Sequence, residues 1–154
     1  PEAKSLMPVF EAMQHKKGLR NLVTQRELEI MFKTASKNLF LAKCTNENGD
    51  LLCFRIIFLI GNKAFDHFAA SNIESRKMSA SYFLLWEIIG FLQNRNITYY
   101  DLGGIDPIHG KGVYNFKQGL CKNEIRYQGE YDWSNWPLFG KLCSKAWAWR
   151  NKLR

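Results

Sequence analysis

From Ser5 to Lys16, apolar residues fall at positions 6, 7, 9, 10 and 13. That spacing makes one helical face, with Pro8 in the first turns and Gly18 as the stop. A second helix starts after Thr24, with Glu27 three residues on. A hydroxyl and a carboxylate at that separation can each take a backbone N–H that a helix start leaves open. Its apolar face is Leu28, Ile30, Met31, Phe32 and Ala35, and it ends near Asn38. The period then shortens. "LFLAKCT", "LLCFRIIFLI" and "KAFDHFAAS" are β-rich runs separated by "NENGD" and "GNK". Asn48-Gly49 and Gly61-Asn62 are tight-turn pairs, so the three runs predict an antiparallel meander. The middle run is apolar on both faces apart from Arg55, which puts it inside a sheet.

"SNIESRKMSASYFLLWEIIGFLQNRN" predicts the longest helix, its regular part capped at Ser79 or Ser81 and its end closed by Asn96. Its expected apolar stripe is Tyr82, Leu85, Trp86, Ile89 and Phe91 or Leu92. "ITYYDLGG" reads as a strand entering a glycine turn, "GVYNFKQGL" as a short helix and "EIRYQGEYD" as one strand or two. "WPLFGKLCSKAWAWRNKLR" is amphipathic, with Leu138, Leu142, Ala146 and Leu153 at helical spacing. This order describes an α/β fold (α+β, mixed sheet) with helices packed on the sheet. A parallel return through the long helix would be a right-handed crossover. The order matches the acyltransferase fold shared by the GNAT enzymes. A single domain is expected over 1–154: a helical lead-in at 1–38, sheet and helices at 39–135, and a basic amphipathic helix at 136–154.

With 154 residues, 46% of them hydrophobic, the chain can bury one good core. Pro1 stands where a translated chain has Met, so the sequence reads as a piece of a longer protein. The net charge is +8, of which +6 lies on residues 111–154. A solvated surface accounts for such charge, and an anionic partner such as RNA, a nucleotide-linked substrate or a lipid headgroup is the alternative it raises. Cys44, Cys53, Cys121 and Cys143, like His15, His67 and His109, are dispersed and show no metal-ligand spacing. No metal is expected, and a reducing, cytoplasmic setting is. The apolar runs fall short of the ~20 residues a membrane span needs.

Two chemistries compete. GNAT acetyltransferases hold the CoA pyrophosphate on bare backbone N–H groups in a Q/R-x-x-G-x-G/A loop, where the third core strand meets the helix. Here that junction is "ASNIESRKMSASY", with no glycine between Gly61 and Gly90. This speaks against an acyl-CoA-dependent enzyme, although Ser, Asn, Arg76 and Lys77 remain able to meet an anion. On the other side, "YYDLGGID", "GVYNFKQGL" and "YQGEYD", preceded by "AASNIESRKMSASYFLLWEII", resemble the Fem family of aminoacyltransferases (FemA, FemB and FemX type). The resemblance covers roughly residues 39–135, with segments in the family's order.

The resemblance implies transfer of an aminoacyl group from aminoacyl-tRNA to an amine of a peptidoglycan precursor, UDP-linked or lipid-linked, with no bound cofactor. The site would face the cytoplasm, and with a lipid-linked acceptor it would work at the inner face of the membrane. It also implies a pair of GNAT-like domains, of which this chain has room for one, the second. Asp66, His67 and Phe68 depart from the family pattern, so acceptor recognition is not carried over there. By spacing alone, Lys117 is a solvent-facing helix lysine. The matching family lysine serves the tRNA terminus and the oxyanion of the tetrahedral intermediate, and Phe116 would pack beside the terminal adenosine. Asp101 and Asp106, flanking "LGG" at a strand end, are candidates to orient the amine or take its proton. For Asp106, next to Pro107, ordinary turn chemistry is the competing reading. Tyr114, Arg76 and Tyr82 complete the substrate-contact candidates, although Tyr82 also fits the core. The tryptophans and cations of the tail suit either an anionic membrane surface or a helix that closes the core. A non-catalytic domain that binds RNA or an acidic partner is the remaining alternative.

Overall fold

The computed structural model describes residues 2–16, 18, 23–128 and 135–152. The chain forms two compact units, Pro1–Val113 and Tyr114–Arg154. The first unit opens with α1 (Glu2–Lys16) and α2 (Gln25–Thr34). The capping box is in place: Thr24 Oγ1 accepts from Glu27 N, and Thr24 N donates to Glu27 Oε2 at 2.7 Å. Three strands follow, β1 (Leu39–Thr45), β2 (Leu51–Ile60) and β3 (Lys63–Ser71), at the bounds the alternation marks. Gly49 and Gly61 take the left-handed backbone their turns require, with φ of 86° and 59°. β2 lies between β1 and β3 and pairs antiparallel with both.

Alternation along β2 divides the core in two. Phe54 and Ile56 pack with Leu6, Phe10 and Leu28 of α1 and α2. Cys53 and Ile57 pack with Leu84, Ile88 and Leu92 on the other face. Each such fully buried side chain stabilises the fold by about 1.5–3 kcal/mol relative to leaving it exposed. A strand covered on both faces needs no polar alternation, which explains the near-continuous apolar run.

The regular helix starts after Ser79, one of the two caps expected for it, and a separate short helix precedes it. α3 (Ile73–Lys77) and α4 (Ala80–Asn94) are divided at Ser79, whose φ is 56° and whose side chain makes no capping bond. Asn72 caps α3 instead, accepting from Ser75 N at 2.7 Å. The left-handed residue rotates α4 relative to the expected phase. Leu84, Leu85, Ile88 and Leu92 face the core, whereas Tyr82 is 49% exposed and Trp86 73%. Of the expected stripe, Leu85 and Leu92 are buried and Ile89 is half-buried, whereas Tyr82 and Trp86 lie on the outer side. Asn96 closes the segment in left-handed geometry, with φ of 57°. β4 (Tyr99–Asp101) then returns parallel to β3, giving sheet order β1-β2-β3-β4.

α5 (Lys111–Leu120) leads into the second unit, which also contains α6 (Pro137–Lys152). Residues 121–128 have no regular structure, and the rest of the expected "EIRYQGEYD" strand lies outside the described residues. Ile125 and Tyr127 are 65% and 84% exposed. Among the described residues, no helix is long and apolar enough to cross a membrane.

Candidate active site

The sheet parts where β4 ends. β4 pairs with β3 only at Lys63↔Tyr99, Ala64↔Tyr100 and Phe65↔Asp101, and β3 continues to Ser71. Strand ends of this kind are where α/β sheets place ligands. Asp101 stands at the parting. Its Oδ1 accepts from Gly103 N at 2.8 Å, closing a turn in which Gly103 has φ of 78°. Asp106 is held more tightly: its Oδ1 accepts from both Ile108 N and His109 N at 2.9 Å. Those two backbone N–H groups, His109's first, hold its carboxyl below the usual range. The turn reading of Asp106 is thus what the geometry realises. Gly110 closes the same turn, where an added Cβ would stand 3.0 Å from the Asp106 carbonyl oxygen.

β3 carries a bulge at this level. Ile56 pairs with Phe68 and Ile57 with Asp66, leaving His67 as the extra residue. Although His67 as a residue is exposed, its ring lies against Phe58 and Phe68, with centroids at 5.1 and 4.3 Å. That desolvation lowers its pKa and favours the neutral imidazole.

Beneath the parting lies a group that pattern reading left unassembled. The Arg55 guanidinium forms an ion pair with Asp66 Oδ2, with the side chains only 8% and 5% exposed. The Tyr100 hydroxyl is buried beside them without a well-formed hydrogen bond. Burial first, and the Asp66 charge second, push its pKa far above the ordinary tyrosine value, so it stays protonated. A signal was available: one arginine in an otherwise apolar interior strand requires a buried counter-charge, and Asp66 is the acid in the neighbouring run.

Arg76 is exposed on α3, and Tyr82 is half exposed on the first turn of α4. Their junction is built from polar side chains. Asn72 Nδ2 donates to Leu51 O at 3.1 Å, and the buried Ser75 meets Ser81, oxygen to oxygen, at 3.3 Å. The first unit thus holds Asp101, Asp106, Arg76 and Tyr82, and the second holds Tyr114, Phe116 and Lys117. On α5, Tyr114, Phe116 and Lys117 are all half-buried. Tyr114 donates to Glu124 Oε1 at 2.9 Å and accepts from Gln118 Nε2 at 2.6 Å. The Glu124 bond raises the Tyr114 pKa and ties α5 to the segment after it. Among the described residues, no cluster of three or more His, Cys, Asp and Glu side chains has the arrangement of a metal site.

The FemAB family model matches residues 15–146 of this chain. No curated protein matches it. Among solved structures, it is similar to an aminoglycoside acetyltransferase from an uncultured soil metagenomic sample, in complex with sisomicin. That pair shares 12% identity and a TM-score of 0.64, over 88% of this chain and 90% of the other. An acetyltransferase of Trypanosoma brucei gives 10% and 0.58, over 86% and 96%. Glucosamine-6-phosphate N-acetyltransferase from Arabidopsis thaliana gives 11% and 0.58, over 86% and 95%. Identities this low show the fold alone, which is that of the GNAT N-acetyltransferases.

Two outcomes are expected here. Asp66→Asn strands a buried guanidinium and should cost about 3–5 kcal/mol in urea unfolding, while Arg55→Met with Asp66→Leu should recover most of that. A double variant no better than the single one would show that the pair is not answering itself. In an NMR titration, Asp106 should have a midpoint below the ordinary value of about 3.9. Its hold on the 106–110 turn is then complete above the ordinary value and is lost as pH falls through the lowered one. An ordinary midpoint would mean that the two amides are not held.

Proposed function

The chain belongs to the FemAB family, and on that premise we propose that it moves an aminoacyl group from aminoacyl-tRNA to an amine of a peptidoglycan precursor or a related cell-envelope molecule. Family and fold make it an acyltransferase. The observation that carries the finer reading is Lys117, half-buried on α5 within "GVYNFKQGL" rather than extended into solvent.

The donor ester is already activated, so the reaction needs no covalent enzyme intermediate. The acceptor amine attacks the ester carbonyl carbon, a C–N bond forms, and negative charge collects on the carbonyl oxygen. As the tetrahedral intermediate collapses, the C–O bond to ribose breaks, and the hydroxyl leaves with the proton that the amine gives up. A fixed ammonium at the developing oxyanion contributes about 3–4 kcal/mol to such a step. We assign that part to Lys117. Phe116 is its sequence neighbour and, half-buried, offers a ring face to the terminal adenosine, since aromatic faces accept any base. Tyr114, braced by Glu124 and Gln118, sets the turn of α5 that carries them. Asp101 is the carboxylate proposed to orient the acceptor amine, and Asp106 serves its turn instead.

A second reading, acyl transfer from acyl-CoA, is favoured by the likeness to acetyltransferases. Against it stands the α3–α4 junction. It carries the side-chain contacts of Asn72, Ser75 and Ser81 and no glycine between Gly61 and Gly90, which speaks against a cradle of bare backbone.

In single-turnover transfer from a charged tRNA, Lys117→Ala should be slower by ~100-fold or more, with little change in melting temperature. Lys117→Arg should restore little, because a planar fork does not fill the place of a compact ammonium. Phe116→Ala should lose stability along with activity. Transfer at the wild-type rate by the alanine variant would make Lys117 a surface charge. Calorimetry with acetyl-CoA should detect weak binding or none, and a low-micromolar dissociation constant would promote the acyl-CoA reading.

A further inference from the structure

α6 has an apolar face that the described structure leaves open. Leu138, Phe139, Leu142 and Trp149 are 81%, 62%, 64% and 69% exposed. At 100° per residue these four side chains and Ala146 fall within one arc of the helix. Lys141 and Lys145, both exposed, are one turn apart along the border of that arc. The helix sequence "PLFGKLCSKAWAWRNK" adds Arg150 and Lys152 and contains no acid.

We propose that α6 is an interfacial helix that lies flat on an anionic lipid surface. Leucine, phenylalanine and tryptophan enter the acyl boundary, and the border lysines reach back to the headgroups. Sixteen residues make a rod of about 24 Å. With four cations in its sequence, such a rod cannot span a bilayer, but it suits the plane of one. Charge complementarity selects the lipid: a helix with only positive side chains gains from an anionic leaflet and little from a zwitterionic one. RNA would meet the same cations, yet phosphate contacts do not require leucine and phenylalanine to stand in water beside them. The proposal rests on α6 and does not depend on which acyl group the enzyme transfers.

The test is co-sedimentation of the full chain with phosphatidylglycerol–phosphatidylcholine vesicles, with pure phosphatidylcholine as the control. Tryptophan emission is recorded in parallel. Binding to the anionic vesicles, weakened by salt and accompanied by a blue shift, is expected. Leu142→Glu should abolish it, and Lys141→Glu with Lys145→Glu should weaken it by ~10-fold or more, each at an unchanged melting temperature. Four results would overturn the proposal. The first is equal binding to both vesicle types. The second is vesicle binding that survives Leu142→Glu. The third is a lowered melting temperature in Leu142→Glu and in the milder Leu142→Ser, which would mean that this face is packed inside the protein. Salt-sensitive binding to tRNA but to neither vesicle would assign the cations to RNA and equally defeat it.

Discussion

A guanidinium in the middle of an interior strand sets the terms for the first unit. β2 is covered by α1 and α2 on one face and by α4 on the other, so Arg55 has no route to bulk water. Taking that charge out of water costs several kcal/mol, and only a partner held in place offsets it. Asp66 is that partner, and it must sit on β3 at the level where it can meet Arg55. The bulge at His67 falls immediately after it and shifts the register of everything beyond. Tyr100 on β4 brings its hydroxyl to the same place. Three strands are thereby tied to one another just below the point where β3 and β4 part.

This arrangement connects stability to function. Replacing the whole cluster with hydrocarbon of similar volume would cost a protein of this fold little, because buried ion pairs are seldom net stabilising. What the cluster does supply is specificity of pairing: a charge on β2 is met by a charge on β3, directly beside the short β4 that ends at Asp101. Asp101 and Asp106 then divide the work of the following loop. Asp106 accepts two backbone N–H groups and shapes the turn, whereas Asp101 accepts one, from Gly103. Two carboxylates that look equivalent along the chain therefore differ in their hydrogen bonds.

The second unit is built by another logic. α5 has no fully buried residue, and its order comes from half-buried side chains and from the Tyr114–Glu124–Gln118 hydrogen bonds. A helix anchored in this way holds Lys117 at an intermediate exposure. In the proposed reaction, reduced screening at such a position would strengthen the pull of its ammonium on the developing oxyanion. α6 is amphipathic by sequence and keeps its apolar residues outward, so its natural counterpart is an apolar surface bordered by negative charge.

Local physics made much of this legible from the residues alone. The three long strands begin and end where alternation and turn glycines say, and the α2 cap follows from one threonine and one glutamate three positions apart. The lysine of α5 was visible as a candidate because the segments around it stand in a family order. Tertiary structure decided what local spacing does not carry. Ser79 turns left-handed, which rephases α4 and sends Tyr82 and Trp86 outward, although period alone places them inward. Arg55 is conspicuous in its strand, but its answer lies on another strand, in a register set by a bulge. Asp106 admits a turn reading and a catalytic one by sequence, and only the structure shows the two amides that its carboxylate accepts. Each of these depends on which faces and strands meet across the sheet, and that is a property of long-range packing, whereas caps, turns and strand periods are settled within a few residues.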